Sequence, residues 1–259
     1  MCELLGINSN RPVELVEPLS LFQKRGGETA DNPDGWGLAY WDKNNWQTHK
    51  ASEAAAQSKQ FSTLSKNLRT NLLIAHVRKA NPPSACTPEN THPFIRDCCG
   101  RPWIFAHNGK VIEVTEPDGC CYPQQSKPEG ETDSEHAFYF LLDEIANVFS
   151  DSDRTTWVQH LATFSEAIAA YGQFNFLMSD GVILIAYGHD RLHRLQRCND
   201  DFKTILIASE PLSSNEPWKP FRTGELQLFQ NGEIIGSIQT APTWINPDSK
   251  VATGQEASV

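Results

Sequence analysis

The apolar residues of this chain come in short runs, and run length is what most limits the possible folds. "LLIAHV", "PWIFAH", "GVILIAY" and "TILIAS" are each too short to cross a bilayer and suit buried strands. Two longer stretches instead carry apolar residues at helical spacing. One is Thr132–Phe149, with Ala137, Phe140, Leu141, Ile145 and Val148, and the other is Thr155–Tyr171, ended by Gly172. Strands, then two consecutive helices, then strands again, joined by hairpins rather than crossovers, predict an α+β protein with antiparallel sheets and segregated helices. Helices outside two stacked sheets, a four-layer α-β-β-α sandwich, satisfy that order.

The remaining elements follow from local signals. Cys2–Ile7 reads as a buried strand, and "PVELVEPLSLFQKRGG" turns helical toward its end and stops at Gly26-Gly27. "GWGLAYW" and "WQTHK" flank the turn-rich "DKNN" as a hairpin, and further hairpins turn at Asp180-Gly181 and Asn231-Gly232. Residues 78–96 read as a Pro- and Asn-rich loop, "PWIFAH" as a strand ended by Asn108-Gly109, and 110–131 as an exposed insertion. The expected organisation is one domain over 2–240 with a flexible tail at 241–259.

Net charge of −10 and the absence of any Lys/Arg-rich run exclude a phosphate-tracking surface, so no nucleic-acid partner is expected. The first residues, with Glu3 among them, do not form a secretory signal, and no membrane association is expected; the reading is cytoplasmic. Seven cysteines in a reducing compartment stay mostly as thiols, and the adjacent pairs Cys98-Cys99 and Cys120-Cys121 lack zinc-knuckle spacing. No metal and no cofactor is expected.

Cys2 is the residue that asks for chemistry. Once Met1 is removed, its α-amine has a reference pKa of about 7.7–8.0 against about 8.5 for a thiol, so moving the proton from sulfur to nitrogen costs only about 1 kcal/mol. One residue then holds both nucleophile and base. A small buried thiol in a first strand is the alternative, and other residues must decide. Arg78, just past "LLIAHV", can grip a carboxylate through two parallel hydrogen bonds, or serve as a surface ion pair. Asn108-Gly109 can present two N–H donors to an oxyanion, or be an ordinary turn beside a strand-end His107. Asp133 can bind an ammonium while Thr132 and Glu135 form a capping box.

Taken in order, "MCELLG", "QKRGG", "DGWG", "AHVRKA", "ENTHPF", "FAHNG" and "GETDSEHAF" resemble the class II glutamine amidotransferase domain, an N-terminal-nucleophile hydrolase. The similarity spans nearly the whole chain and is closest to the stand-alone type, which includes hydrolases of γ-glutamyl amides. The resemblance implies the N-terminal nucleophile hydrolase fold, with Cys2 as nucleophile and its α-amine as proton acceptor. It also implies that Arg78 holds the substrate α-carboxylate, Asp133 holds the α-ammonium, and Asn108 with Gly109 forms the oxyanion hole. His92 matches a position in the loop that closes over substrate, and Arg25 matches an arginine packed beside the nucleophile; His107 is supporting. Trp36 reads as core or pocket wall, and Ser209-Glu210 as structural.

The implied reaction is hydrolysis of the γ-amide of glutamine or a γ-glutamyl compound through a γ-glutamyl thioester. No ammonia-consuming second domain of the large amidotransferases is expected, so ammonia is expected to pass to a separate synthase or the substrate to be simply hydrolysed. The runner-up is a γ-glutamyl amide hydrolase for a small thiol or amine metabolite, its leaving group lined by 110–131. A non-catalytic amidotransferase-like subunit would be expected to have lost Cys2, Arg78 or Asn108-Gly109. An acylase for fatty or aromatic amides has no use for the Arg78–Asp133 pair.

Overall fold

Successive side chains along each strand point to opposite faces, and this alternation sorts the apolar residues into three separate cores. A computed structural model describes residues 1–80, 87–125, 127–199 and 201–244. Its strands begin with β1 (Glu3–Glu14), β2 (Trp36–Asp42), β3 (Asn45–Ala51), β4 (Arg69–Val77), β5 (Phe94–Cys98) and β6 (Arg101–Lys110). They continue with β7 (Gln173–Ser179), β8 (Leu184–Gly188), β9 (His193–Cys198), β10 (Lys203–Ala208), β11 (Lys219–Pro220), β12 (Glu225–Gln230) and β13 (Glu233–Gln239). The helices are α1 (Val16–Arg25), α2 (Lys59–Asn67), α3 (Asp133–Ala146) and α4 (Arg154–Ala169).

One sheet runs β11-β9-β10-β1-β4-β2-β3 and the other β13-β12-β8-β7-β6-β5, with every pairing antiparallel. On β1, Leu5 and Ile7 face outward onto Leu19 and Phe22 of α1 and Phe61 of α2. Leu4 faces inward, with Ile74 and Ile207, against Ile104, Ala106 and Leu177 of the other sheet. The far face of that sheet carries Phe105, Phe174 and Phe176 onto Phe138 and Leu141 of α3 and Leu161 of α4. Phe105 is fully buried and stacks on Phe138 at 5.1 Å between ring centroids, a position where truncation to Ala costs about 3–5 kcal/mol. The result is the expected four-layer α-β-β-α sandwich.

Turn chemistry fixes the register of two hairpins. Lys43-Asn44 and Asn231-Gly232 have both central residues at positive φ, and Asp42 pairs with Asn45 and Gln230 with Glu233; these are two-residue loops whose twist matches the strands. Between β7 and β8, Ser179 pairs with Leu184, so that loop is four residues long rather than the two expected. Asp180 fills it by accepting the Val182 and Ile183 amides, both at 2.9 Å.

Further expectations need correction. The strand "PWIFAH" does not end at Asn108-Gly109: β6 runs on to Lys110, with Asn108 opposite Asn175 and Gly109 opposite Phe174 on β7. The loop read as 78–96 closes earlier, because β5 starts at Phe94; residues 81–86 of that loop lie outside the described residues. The 110–131 segment is largely exposed, as expected, but tethers itself through buried Val111, Val114 and Cys121. The tail beyond 244 lies outside the described residues, and no described helix is long and apolar enough to cross a membrane.

Candidate active site

The ends of β1, β4 and β6 and the start of α3 converge on one cavity of about 260 Å³, lined by Cys2, Arg78, Lys79, His92, His107, Gly109 and Asp133 among others. Cys2 stands immediately before β1, half-buried, and its Sγ accepts a hydrogen bond from the Lys79 amide at 3.2 Å. Burial pushes the thiol up from its ordinary value, partly opposed by the Lys79 amide, the chain's terminal ammonium and Arg78. No histidine ring reaches the sulfur: among the described residues its hydrogen-bond contacts are to the Lys79 backbone.

Arg78 follows the last residue of β4 and is buried. The "DGWG" segment holds this part of the backbone from both sides. Arg78 N donates to Gly35 O at 2.8 Å, Asp34 N donates to Arg78 O at 3.0 Å, and Ala80 N donates to Asp34 Oδ2 at 2.8 Å. The Lys79 amide that meets the sulfur is thus fixed by neighbours on either side. Lys79 Nζ itself turns away onto Asp31 at 2.6 Å.

Asp133 is the first residue of α3, where the unpaired N–H groups and the helix dipole favour a carboxylate. Its Oδ2 accepts the Val111 amide and its Oδ1 the Ser134 amide, both at 2.8 Å. Thr132 caps the helix by accepting from Glu135 N at 3.2 Å. The reciprocal half of the expected capping box is absent: the Glu135 carboxylate accepts the Glu129 and Gly130 amides at 3.0 and 2.6 Å.

Gly109 sits in the strand at φ +154, and a Cβ there would fall 1.8 Å from Gln173 O. Glycine is therefore required by the close approach of β7, and the Asn-Gly pair is no turn. Strand alternation sends His107 to the helix side and Asn108 to the interlayer side. His107, expected to orient a turn, instead braces the start of α3, with Nδ1 2.8 Å from Ser134 Oγ and Nε2 3.2 Å from Gln173 O. Asn108 is buried, does not line the cavity, and has Nδ2 3.1 Å from Ser209 Oγ.

His92 lines the cavity and packs on His76 at 4.3 Å and Phe94 at 4.7 Å between centroids. Burial drives both imidazoles well below the ordinary histidine range, His76 to about 3, with nearby Arg78 and the other histidines adding to the effect. Both rings are neutral at physiological pH. Arg25 does not line the cavity; it donates to Pro211 O at 3.1 Å, with Nε 3.9 Å from Oε2 of Glu3, the residue after Cys2. Trp36 is fully buried against Phe61 and belongs to the core. A larger cavity, about 510 Å³, lies around the other end of β1 by Val13 and Leu206, and no cysteine or histidine lines it.

Sequence reasoning missed Asp34, Lys79 and Ser209. Asp34 lay in a quoted motif, but its role appears only when residues 34 and 80 meet. The Lys79 contribution is a backbone amide, which no residue type signals.

A terminal-strand thiol in a four-layer sandwich, beside a buried arginine and a helix-start aspartate, defines an amide hydrolase of the N-terminal-nucleophile architecture. The family model for class-II glutamine amidotransferases matches residues 1–200, and the chain belongs to that family. A protein of Haemophilus influenzae named "Putative glutamine amidotransferase" is 31% identical, over 93% of this chain and 88% of its own length. The crystal structure of a predicted glutamine amidotransferase from Pseudomonas aeruginosa superposes with TM-score 0.68 at 28% identity, over 91% of this chain and all of that one. A γ-glutamyl-hercynylcysteine sulfoxide hydrolase of Mycobacterium tuberculosis is 24% identical over 81% of each chain. The general activity is accordingly that of an amidotransferase or amide hydrolase.

Proposed function

We propose that Cys2 hydrolyses the γ-amide of glutamine or of a γ-glutamyl compound through a γ-glutamyl thioester. The observation that carries this reading is the placement of Cys2, Arg78, Gly109 and Asp133 around one cavity. Because burial keeps the thiol protonated and no side-chain base touches it, the proton acceptor is the α-amine of Cys2 itself, exposed when Met1 is removed. Met1 is exposed, so its bond to Cys2 is accessible for cleavage.

The sulfur attacks the amide carbon and its proton moves to the α-amine. The tetrahedral oxyanion is held by the Gly109 amide, which lines the cavity, and by the side chain of the adjoining Asn108, which reaches it from the buried interlayer side. Collapse expels ammonia or an amine, which takes the proton, and water then cleaves the thioester to free the γ-carboxylate. Arg78 holds the substrate α-carboxylate and Asp133 its α-ammonium. His92 forms part of the wall over the bound head group, while Arg25 and His107 hold Glu3 and Ser134 in place. The reaction as written uses no metal or cofactor.

A leaving group larger than ammonia is supported by Lys110, Ile112 and Thr115 of the 110–131 segment, which line the same cavity. The hydrolase named above acts, by its name, on a γ-glutamyl compound, and a small thiol or amine metabolite is the corresponding substrate class here. Ammonia, where it is the product, leaves to solvent or to a separate acceptor synthase. The deciding experiment is intact mass spectrometry after treatment with a γ-electrophilic glutamine analogue. The expected species lacks Met1 and carries one adduct on Cys2. Labelling that persists in Cys2→Ser overturns the assignment.

A further inference from the structure

Ser209 follows the last residue of β10 and is completely buried in the interlayer space. Its backbone N donates to Leu4 O at 3.1 Å, and its Oγ accepts from Leu4 N at 3.0 Å. This ties Ser209 to the second residue after the nucleophile. The same Oγ lies 3.1 Å from the Asn108 side chain, 101 positions away in sequence.

A serine hydroxyl offers one hydrogen and two lone pairs, and Asn offers one carbonyl and one NH₂ group whose placement is decided by the hydrogen bonds around it. With Nδ2 placed toward Ser209, two groups are left unmet. Among the described residues, the buried Asn108 Oδ1 has no hydrogen-bond partner and the Ser209 hydroxyl hydrogen has no acceptor. Turning the amide over satisfies both. Leu4 N–H donates to Ser209 Oγ, the Ser209 hydroxyl donates to Asn108 Oδ1, and Nδ2 takes the position Oδ1 had. The flip exchanges an unmet carbonyl and an unmet hydroxyl for one NH₂ group without an acceptor, so fewer buried polar groups lack a partner and the flipped amide is the favoured one.

The flip also changes the sign of the site. A carbonyl oxygen in that position repels a developing oxyanion, whereas an NH₂ group stabilises it. Resting on the reading of Asn108 as an oxyanion donor, we propose that Ser209 is a positioning residue. Its hydroxyl holds the Asn108 carbonyl so that the amide N–H groups are left for the tetrahedral intermediate. Ser209 touches neither substrate nor sulfur and acts through Asn108.

The test is steady-state hydrolysis of glutamine by S209A, S209C, N108A and the S209A/N108A double variant. For S209A a fall in kcat of about tenfold or more is expected, with KM within about twofold, because an interaction made only in the transition state is lost. S209C, which keeps the volume and a weak donor, falls in between and serves if S209A does not fold. In the N108A background S209A causes no further loss, since the two groups act as one unit. Full kcat in S209A or S209C, or a loss in the double variant that adds to that of N108A, overturns the proposal. An N108A protein at the wild-type rate removes instead the oxyanion reading beneath it, and the two failures are distinguishable.

Discussion

The Cys2 sulfur accepts the Lys79 amide at 3.2 Å across 77 positions of sequence. That bond fixes where the sulfur points without supplying a base, while burial holds the thiol above its ordinary range. In the proposed mechanism the chemistry therefore waits on a second group, the α-amine. Specific activity is expected to scale with the fraction of chains that have lost Met1, measured by intact mass. In chains that retain Met1, Cys2 is expected to alkylate with iodoacetamide more slowly at neutral pH than the exposed Cys198. Full turnover by a Met1-retaining preparation counts against the amine as base.

Replacing Asn108 with Ala removes one proposed oxyanion donor and is expected to lower kcat about 100- to 1,000-fold. Steady-state kinetics on glutamine measures it. Near-normal kcat excludes this side chain from the mechanism.

Asp133→Asn keeps an acceptor for the Val111 or Ser134 amide but removes the charge proposed to face a substrate ammonium. A charge-assisted hydrogen bond worth about 2 kcal/mol corresponds to a rise in KM of about 30-fold. A glutaramate-type substrate lacking the α-ammonium is expected to show no difference between the two proteins. Equal losses on both substrates would assign Asp133 to folding of the α3 start alone.

Gly109→Ala places a Cβ 1.8 Å from Gln173 O at a φ of +154. Backbone strain there costs about 1–3 kcal/mol before the clash is counted. Urea denaturation is expected to show a large fall in midpoint, unlike Gly100→Ala, where a Cβ meets nothing within 4 Å even though φ is also positive.

Acid is expected to destabilise the fold through its buried histidines. His76 titrates near 3 when folded against 6.5 in an unconstrained chain. Between those values the unfolded state binds the extra proton, so this contribution is complete above 6.5 and declines as pH falls. His92 and His107 are shifted in the same direction by burial. Each such group adds about 1.4 kcal/mol per pH unit to the slope. Urea midpoints from pH 7 to 4 check this, and His76→Gln is expected to flatten the curve by one proton's worth.

What the sequence made legible follows burial. The central strands β1, β4, β7, β8 and β10, packed on both faces, show as apolar runs, and α3 and α4 show as long periodic segments. The elements missed bury little: β9 contributes Leu195, β5 contributes Phe94, and α2 turns only Phe61 and Ser65 fully inward. With so few apolar residues no period can emerge. The cavity's lining was readable where a residue type and motif order carried it, as with Cys2, Arg78 and Asp133. Asn108-Gly109 was recognised but misplaced in a turn, because a dipeptide common in turns carries no sign that a partner strand will pass within reach of its glycine. Ser209 was read as structural because a buried serine gains meaning only from what lies across the interlayer space.

Cys2 stands at the mouth of a strand flanked by β10 on one side and β4 on the other, in the middle of its sheet. Fraying that suits a mobile lid is denied to it. Amide protons from Leu4 to Asn8 are expected to exchange with solvent only when the entire molecule opens, so the reactive sulfur is stationed on the last part of the protein to let go.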